Sequence, residues 1–484
     1  MATRTPWWRV AVPLLGGLAI ALVPAPAGLT QEAWYYVAVF ATVILGLITE
    51  PMAPTAVAFI GVTIAAVAGL PFTVAERVDP DFRLPTAAVR WALAGFSNST
   101  VWLIFAAFIF AMGYEKTGLG RRIALVMVRT LGHRTLGLGY AVAFSDALLA
   151  PFTPSNTARS AGTIYPVIRS IPELYGSRPG ASARRLGAYL MWVAFATTCV
   201  TSSMFITALA PNLLLLDLAR DATGVEVTWG EWLVGFLPVG AVLLLAVPWL
   251  VYRIYPPEIR ASLEVPRWAG QALVDMGRVS RRELVMATLA VLTLVLWVFA
   301  GAVIDATLVA MIGVSLMLVC GVVTWEDVVA NTPAWNVLVW FATLVVLADG
   351  LNRVGFVTWL GRGTADLLAG YPPLVVMLSL VTLFFLIHYM FAGITAHATA
   401  LAPVVLAAGL SVEGLPVRMF VMLLGFSLGI MGVLTPYATG PAPLYYECGF
   451  IERKDFWRLG FAFGMLFLVT LLAVGTPWLQ LVGP

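Results

Sequence analysis

Long apolar runs recur along the whole chain, and this feature restricts its fold more than any other. About eleven runs approach the roughly 20 apolar residues that a helix needs to cross the hydrocarbon core of a bilayer. Only 11% of the 484 residues are charged, whereas a soluble domain carries about 25%. Backbone groups in lipid must be satisfied within the segment itself. We therefore predict an all-α polytopic membrane protein with about eleven transmembrane helices plus two re-entrant hairpins.

The basic residues favour one orientation. If the N-terminus is cytoplasmic and each full span crosses once, most of the 28 Lys and Arg residues fall in cytoplasmic segments, as in most membrane proteins. The stretch from Val10 to Val23, followed by Ala25-Pro26-Ala27, also resembles a secretory signal with a cleavage site. Because further spans follow at once, we interpret it as a first transmembrane helix. We predict a multi-pass protein of the cell inner (plasma) membrane with a cytoplasmic N-terminus.

An internal repeat divides the chain. Thr157-Ala158-Arg159 in one half corresponds to Thr395-Ala396-His397 in the other. Each triplet lies in an interrupted apolar hairpin, at 136–173 and 373–411, and each hairpin follows a span and precedes a broken helix. In the orientation above, the first hairpin opens from the inside and the second from the outside. Paired interruptions in an inverted repeat indicate the binding site of a transporter.

The hairpin tips are suited to binding an anion. Where a helix is interrupted, backbone N–H groups lose their helical partners and the positive end of the returning helix points at the gap. Ser155, Asn156 and Thr157 add polar side chains at the first tip, Thr395 does so at the second, and Gly393 allows close backbone approach. Two tips that meet near the midplane would bind a molecule with two carboxylates. The predicted substrate-binding residues are Ser155, Asn156, Thr157, Arg159, Gly393, Thr395, His397 and Thr439, with Ser202, Ser203 and Pro441 as possible supporting residues.

Arg159 and His397 occupy matched positions, which favours a shared role. An Arg at membrane depth costs at least about 2.5–3.5 kcal/mol, so it needs an anionic partner, and we expect the cargo to supply it. The alternative is a structural pair with Asp146, which would lie roughly 20 Å away if the segment were a continuous helix. The alternative for His397 is a neutral packing residue, and for His388 a structural role is the favoured interpretation.

No pattern indicates a metal, a cofactor or an enzyme. Cys199, Cys320 and Cys448 lack CxxC spacing, and the chain has no Walker, HExxH or GxSxG sequence. The net charge of +3 does not indicate a nucleic-acid partner. A membrane-embedded enzyme would need paired acid–base groups at membrane depth, whereas the hairpins contain only one Asp and two His, so we predict no enzyme activity.

Four motifs resemble those of a known family. Gly95-Phe-Ser-Asn98, Gly118-Leu-Gly-Arg-Arg122, Pro154-Ser-Asn-Thr157 and Ile394-Thr-Ala-His397 are similar to motifs of the divalent anion:sodium symporter (DASS) family. The likeness covers nearly the whole chain. It is strongest to the exchanger branch, which contains bacterial citrate/succinate and tartrate/succinate antiporters and the chloroplast 2-oxoglutarate/malate translocator.

The resemblance implies a homodimer in the lipid bilayer that works by an elevator motion of a transport domain against a scaffold. It implies a division of the chain into four segments. In the first half, 1–135 contains scaffold helices, and 136–255 contains the first transport hairpin, broken helix and following helix. In the second half, 256–372 contains the linker and scaffold helices, and 373–484 contains the second transport hairpin, broken helix and last helix.

The resemblance also bears on ion coupling. The second motif of the family, Ser-Asn-Thr, is Gly393-Ile394-Thr395 here, which removes oxygen ligands that hold sodium in symporters. Arg159 and His397 would supply fixed positive charge instead, and a carrier that cannot shed Arg159 would need a bound dianion to return. We therefore expect antiport of C4/C5 dicarboxylates without sodium. The alternative is a sodium-coupled dicarboxylate symporter. The motifs do not distinguish succinate, malate, 2-oxoglutarate, tartrate and citrate.

Overall fold

The computed structural model describes residues 6–261 and 263–482. Within these residues the chain forms 24 α-helices and no named strand, apart from an isolated bridge between Arg134 and Ala261. The predicted all-α class is therefore confirmed. Short 3₁₀ and π-helical turns interrupt several helices, chiefly where proline or glycine stands in the sequence.

The first half of the chain contains twelve α-helices. They are α1 (Trp7–Leu22), α2 (Gln31–Thr49), α3 (Pro54–Val67), α4 (Val74–Val78), α5 (Leu84–Leu93), α6 (Ser99–Thr117), α7 (Leu119–Leu131), α8 (Thr135–Leu149), α9 (Tyr165–Arg169), α10 (Gly187–Met204), α11 (Ala210–Thr223) and α12 (Trp229–Ile254).

The second half contains another twelve. They are α13 (Glu264–Asp275), α14 (Arg281–Phe299), α15 (Ala306–Val319), α16 (Trp325–Ala330), α17 (Thr332–Arg353), α18 (Phe356–Leu368), α19 (Pro373–Ile387), α20 (Ile394–Leu410), α21 (Val417–Ile430), α22 (Ala442–Glu447), α23 (Arg453–Thr470) and α24 (Thr476–Val482).

Seven helical segments of the described part are long and apolar enough to cross a membrane, or eight if the pair Leu84–Ser97 and Ser99–Thr117, bent by 44°, is one span. The predicted number is larger because several apolar helices are shorter than a full span. Left-handed glycines end some of them early: Gly69 has φ 66° after α3 and Gly321 has φ 69° after α15. The shorter apolar segments are Trp7–Leu22, Pro54–Val67, Ala306–Val319, Ile394–Leu410 and Val417–Val433.

Both predicted hairpins are interrupted, each for its own chemical reason. The first leaves the helical region after the 3₁₀ turn Ala150–Phe152 and becomes helical again at residue 156. Pro151 and Pro154 lack an N–H and restrict the residue before them. The second is extended at Phe391, and Gly393 has φ 111° and ψ 146° immediately before α20. A residue with a side chain rarely adopts that conformation, so glycine permits the second break.

The same order of elements occurs in both halves. A long helix (α6 or α17) ends at a left-handed glycine, then a short helix (α7 or α18), an interrupted hairpin and a broken helix follow. Gly118 has φ 76° and Gly355 has φ 81° at the corresponding turns. The helices α7 and α18 are not among the predicted spans, because charged residues interrupt their apolar pattern.

The broken helix of the first half forms the centre of the protein. Every residue of α10 from Gly187 to Ser203 is buried, and α10 contacts α8, α12 and α21. A second group of contacts joins α17 to α3 and α6, and α6 to α15. The first hairpin and the helices α12 and α21 therefore pack around α10, the second hairpin packs against α11 and α21, and α3 and α6 pack against α17.

Close backbone contact at Gly95 gives a prediction about stability. A Cβ at this position would lie 1.9 Å from the backbone oxygen of Ala342 in α17, and backbone cannot move aside as a flexible side chain can. We expect Gly95→Ala to destabilise the protein by about 1–3 kcal/mol, measured as thermal unfolding in detergent. Gly363→Ala, where a Cβ meets nothing within 4 Å, is the control. Equal unfolding temperatures for the two variants would contradict the packing described.

Candidate substrate cavity

The two hairpin breaks line one cavity of about 440 Å³. It brings together six of the residues predicted from the sequence, and the starts of α11 and α20 also reach it. The residues that line it from the hairpins and broken helices are Pro154, Ser155, Asn156, Thr157, Leu209, Ala210, Pro211, Ala392, Gly393, Ile394, Thr395, Ala396, Thr439 and Gly440.

A hydrogen bond between the two halves fixes the first tip. Asn156 is buried, and its Nδ2 donates to Oγ1 of Thr439 at 2.7 Å. Thr157 lies against Gly440, where a Cβ would come within 1.9 Å of the threonine hydroxyl. Ser155 Oγ accepts a hydrogen bond from the backbone N–H of Ala158 at 3.2 Å, as an N-terminal cap does. The first tip is therefore held by the broken helix of the second half.

The second tip presents the N-terminus of α20. Gly393 precedes this helix, and His397 N–H makes the first backbone bond, 3.4 Å from the Gly393 oxygen. The first N–H groups of a helix have no partner within the helix, so those of Ile394, Thr395 and Ala396 are free of intrahelical bonds. All three residues line the cavity. Each helix N-terminus also carries a partial charge of about +0.5, which favours an anion here.

Arg159 does not line the cavity in this conformation, so the direct contact with the cargo that the sequence predicts stays a prediction. Its side chain is fully buried, and its Nε lies 3.1 Å from Oδ2 of Asp146. Because the hairpin is interrupted and the chain turns back, Asp146 comes beside Arg159 instead of lying a long helix away. The structural pair that the sequence left as an alternative is the arrangement observed.

The guanidinium of Arg159 is surrounded by oxygen atoms that accept its hydrogen bonds. Nη1 donates to the carbonyls of Thr153 and Ala208, both at 3.1 Å. Nη2 donates to Oγ1 of Thr201 and to Oγ of Ser202, both at 3.2 Å. Ser202 thus supports Arg159 and not the cavity. The first tip, the break after α10 and the end of α8 are all joined through this one side chain.

The other predicted supporting residues have structural contacts. Ser203 Oγ donates to the Phe426 carbonyl at 2.7 Å and accepts from the N–H of Ile430 at 3.1 Å, which joins α10 to α21. Pro441 stands immediately before α22 and is not part of the cavity lining.

His397 is buried away from the cavity. Neither ring nitrogen has a hydrogen-bond partner among the described residues, and the ring packs against Phe384, His388 and Phe391 at centroid distances of 4.4, 4.9 and 5.1 Å. This is the packing role that the sequence left as an alternative. His388 has its Nε2 2.9 Å from the carbonyl oxygen of Ala438, in keeping with the structural role favoured for it.

Another part of the cavity wall comes from the first-half helices and α17, and the sequence motifs do not indicate it. This wall contains the only charged residue among the cavity-lining residues that the structure describes, Glu50. The sequence signal for Glu50 is its position between two spans, next to Pro51. Asn336 gives no such signal, because it lies within an apolar run. The wall consists of Leu47, Glu50, Ala53, Pro54, Thr55, Phe108, Asn336, Val337 and Trp340.

The buried pair predicts a non-additive effect on stability. Arg159→Met or Asp146→Asn alone leaves a buried charge without its partner, which costs about 3–5 kcal/mol. The double variant removes both charges, so we expect it to unfold at a higher temperature in detergent than either single variant. A double variant whose destabilisation equals the sum of the two single effects would show that the two side chains do not stabilise each other.

Comparison with known proteins agrees with this architecture. A family model described as sodium:sulfate symporter transmembrane region matches residues 4–483. The L-tartrate/succinate antiporters of Escherichia coli (strain K12) and Shigella sonnei (strain Ss046) are each 48% identical to the chain over 485 residues, covering 100% of both sequences. The crystal structure of the Alcanivorax borkumensis YdaH transporter has a TM-score of 0.57 at 17% identity and covers 84% of this chain and 90% of that one.

The family match extends over nearly all of the chain, and the relatives are antiporters of the branch that the sequence motifs resemble. The identity to the YdaH transporter is low, so that likeness shows the fold alone. The chain therefore belongs to the sodium:sulfate symporter family, also called the divalent anion:sodium symporter family, and is a membrane transporter of its exchanger branch and not an enzyme.

Proposed function

We propose that this protein is an antiporter that exchanges C4 and C5 dicarboxylates across a membrane without sodium. The observation that supports the proposal is the cavity that both hairpin breaks line, with polar side chains at the first tip and N–H groups free of intrahelical bonds at the start of α20. One carboxylate would bind at the tip of Ser155 to Thr157 and the other at the N-terminus of α20. The names of the relatives, L-tartrate/succinate antiporters, favour four-carbon cargo among the dicarboxylates considered.

The arrangement of Arg159 supports sodium independence. Carbonyl and hydroxyl oxygens of this kind would suit a small cation, but here a permanently charged guanidinium fills the space among them. The second tip has glycine and isoleucine where a Ser-Asn pair would add side-chain oxygens. A sodium-coupled symporter, the alternative, would have to bind its ions with backbone carbonyls elsewhere.

The basis of obligatory exchange differs from the one expected from the sequence. Arg159 and Asp146 together carry no net charge, so Arg159 does not by itself penalise the return of the empty carrier. The N–H groups of the tips that lack a partner penalise the return of the empty carrier, because a polar group moved out of water without a hydrogen bond costs about 1–3 kcal/mol. A bound dicarboxylate satisfies several such groups at once.

The proposal includes an elevator motion of an inverted repeat in a homodimer. The transport domain would comprise 136–255 and 373–484, and the scaffold would comprise 1–135 and 256–372. The cavity has lining residues in both, so it would lie where the two meet. The turn between α2 and α3 and the start of α17 line the cavity. We also propose that the protein lies in the inner membrane with a cytoplasmic N-terminus.

Transport by purified protein in proteoliposomes tests the proposal. We expect rapid uptake of labelled succinate into vesicles loaded with succinate or L-tartrate, at the same rate with sodium or with choline outside. Empty vesicles should take up little, because the empty carrier would return with its tip donors unsatisfied. Strong uptake into empty vesicles that depends on a sodium gradient would favour the symporter instead.

Asn156 gives a more local prediction. Asn156→Ala removes the bond to Thr439 and one donor of the first tip, and a bond worth about 1–2 kcal/mol corresponds to a loss of exchange of about fivefold to thirtyfold. Asn352→Ala, an exposed asparagine outside the cavity, is the matched control. Measured rates of succinate exchange that do not differ between the two variants would exclude a role for Asn156.

A further inference from the structure

The cavity proposed to bind anions contains a carboxylate and no basic side chain among the lining residues that the structure describes. Glu50 is exposed and lines the same cavity as the two tips. In the described part of the chain its carboxylate makes no ion pair and no side-chain hydrogen bond. The hydroxyl of its neighbour Thr49 donates to the carbonyl of Arg9 at 2.9 Å, but no ion pair joins Arg9 to Glu50. The cavity wall therefore carries a negative charge that no ion pair of the described residues balances.

The backbone at Glu50 is also unusual. Glu50 ends α2 with φ 49° and ψ 57°, in the left-handed region, and it is the only residue other than glycine with a positive φ in the described part. Glycine is favoured at such a helix end, and a side chain there adds strain. The geometry of the turn does not explain why this residue is a glutamate. The carboxylate lines the cavity, so we infer that its role concerns the cavity.

The charges in the cavity suggest what this carboxylate does. The attraction for an anion comes from partial charges, about +0.5 at each helix N-terminus, together with the amide and hydroxyl donors. Such a set can hold two carboxylates at the two tips. A third carboxylate on the same molecule would have no third tip to bind, and the carboxylate of Glu50 in the same cavity would repel it.

We propose that Glu50 is a specificity-determining residue that makes the cavity selective for dianions over trianions. This inference rests on the proposed function and adds a reason why its substrate class excludes tricarboxylates. Glu50 acts by charge, so glutamine should abolish the effect and aspartate should retain it. Glu50 takes part in no ion pair of the described residues, so its substitution should leave the protein folded.

Glutarate and tricarballylate are matched probes, because they share a five-carbon chain and differ by one carboxylate. Each would compete with labelled succinate in exchange by proteoliposomes, at a pH high enough to ionise all carboxylates. We expect the native protein to prefer glutarate. In Glu50→Gln and Glu50→Gly the ratio of inhibitory concentrations, tricarballylate over glutarate, should fall by at least about fivefold, the effect of one pair of unit charges about 4 Å apart in water.

Two variants separate charge from other effects. Glu50→Asp and Glu413→Gln, which changes an exposed carboxylate outside the cavity, should keep the native ratio. A native ratio in Glu50→Gln would overturn the proposal, and so would a change in Glu50→Gly alone, which would assign the effect to the turn.

Ligand-induced shifts in unfolding temperature in detergent report binding if Glu50→Gln does not transport. Loss of glutarate binding in that variant would also overturn the proposal, because Glu50 would then serve dianion binding itself. Failure of the native protein to exchange or bind any dicarboxylate would instead refute the proposed function.

Discussion

Interruption of a helix within a bilayer is the constraint on which the rest of this structure depends. Every break leaves backbone N–H and C=O groups without helical partners, and lipid offers them none. The protein has such breaks in both hairpins and in the helices that follow them, and it brings the breaks together. The tips at Asn156 and Gly393 lie at one cavity, where their unpaired groups are available to a ligand instead of being lost to lipid.

Some of the groups freed by the breaks are satisfied inside the protein. Arg159 donates to the carbonyls of Thr153 and Ala208, which belong to two different interrupted segments. Asp146 balances its charge from the end of α8. Asn156 and Thr439 provide a second connection between the breaks of the two halves. The side chains that fix the breaks thus leave the N–H groups of α20 as the donors that need an external partner.

The sequence predicts the helices and both breaks well, because apolar length, proline and glycine act locally. It also identifies the six cavity residues that carry the repeat, from Ser155 to Thr439. It does not predict that Arg159 and His397 stand outside the cavity lining. For Arg159, distance along a continuous helix is a poor guide to its partner once the chain turns back at Pro151 and Pro154. The sequence misses Glu50 and Asn336 because they lie outside the two hairpins and broken helices, and only tertiary packing brings them to the cavity.

We propose that both hairpin tips bind one cargo molecule between them. A structure of the protein determined by cryo-electron microscopy with succinate bound would show directly whether they do. We predict density for succinate in the cavity, with one carboxylate within hydrogen-bonding distance of the first tip at Ser155 to Thr157 and the other at the N–H groups that begin α20. Succinate bound to Arg159 in place of Asp146, or held by one tip alone, would show that the two tips do not bind one cargo molecule between them.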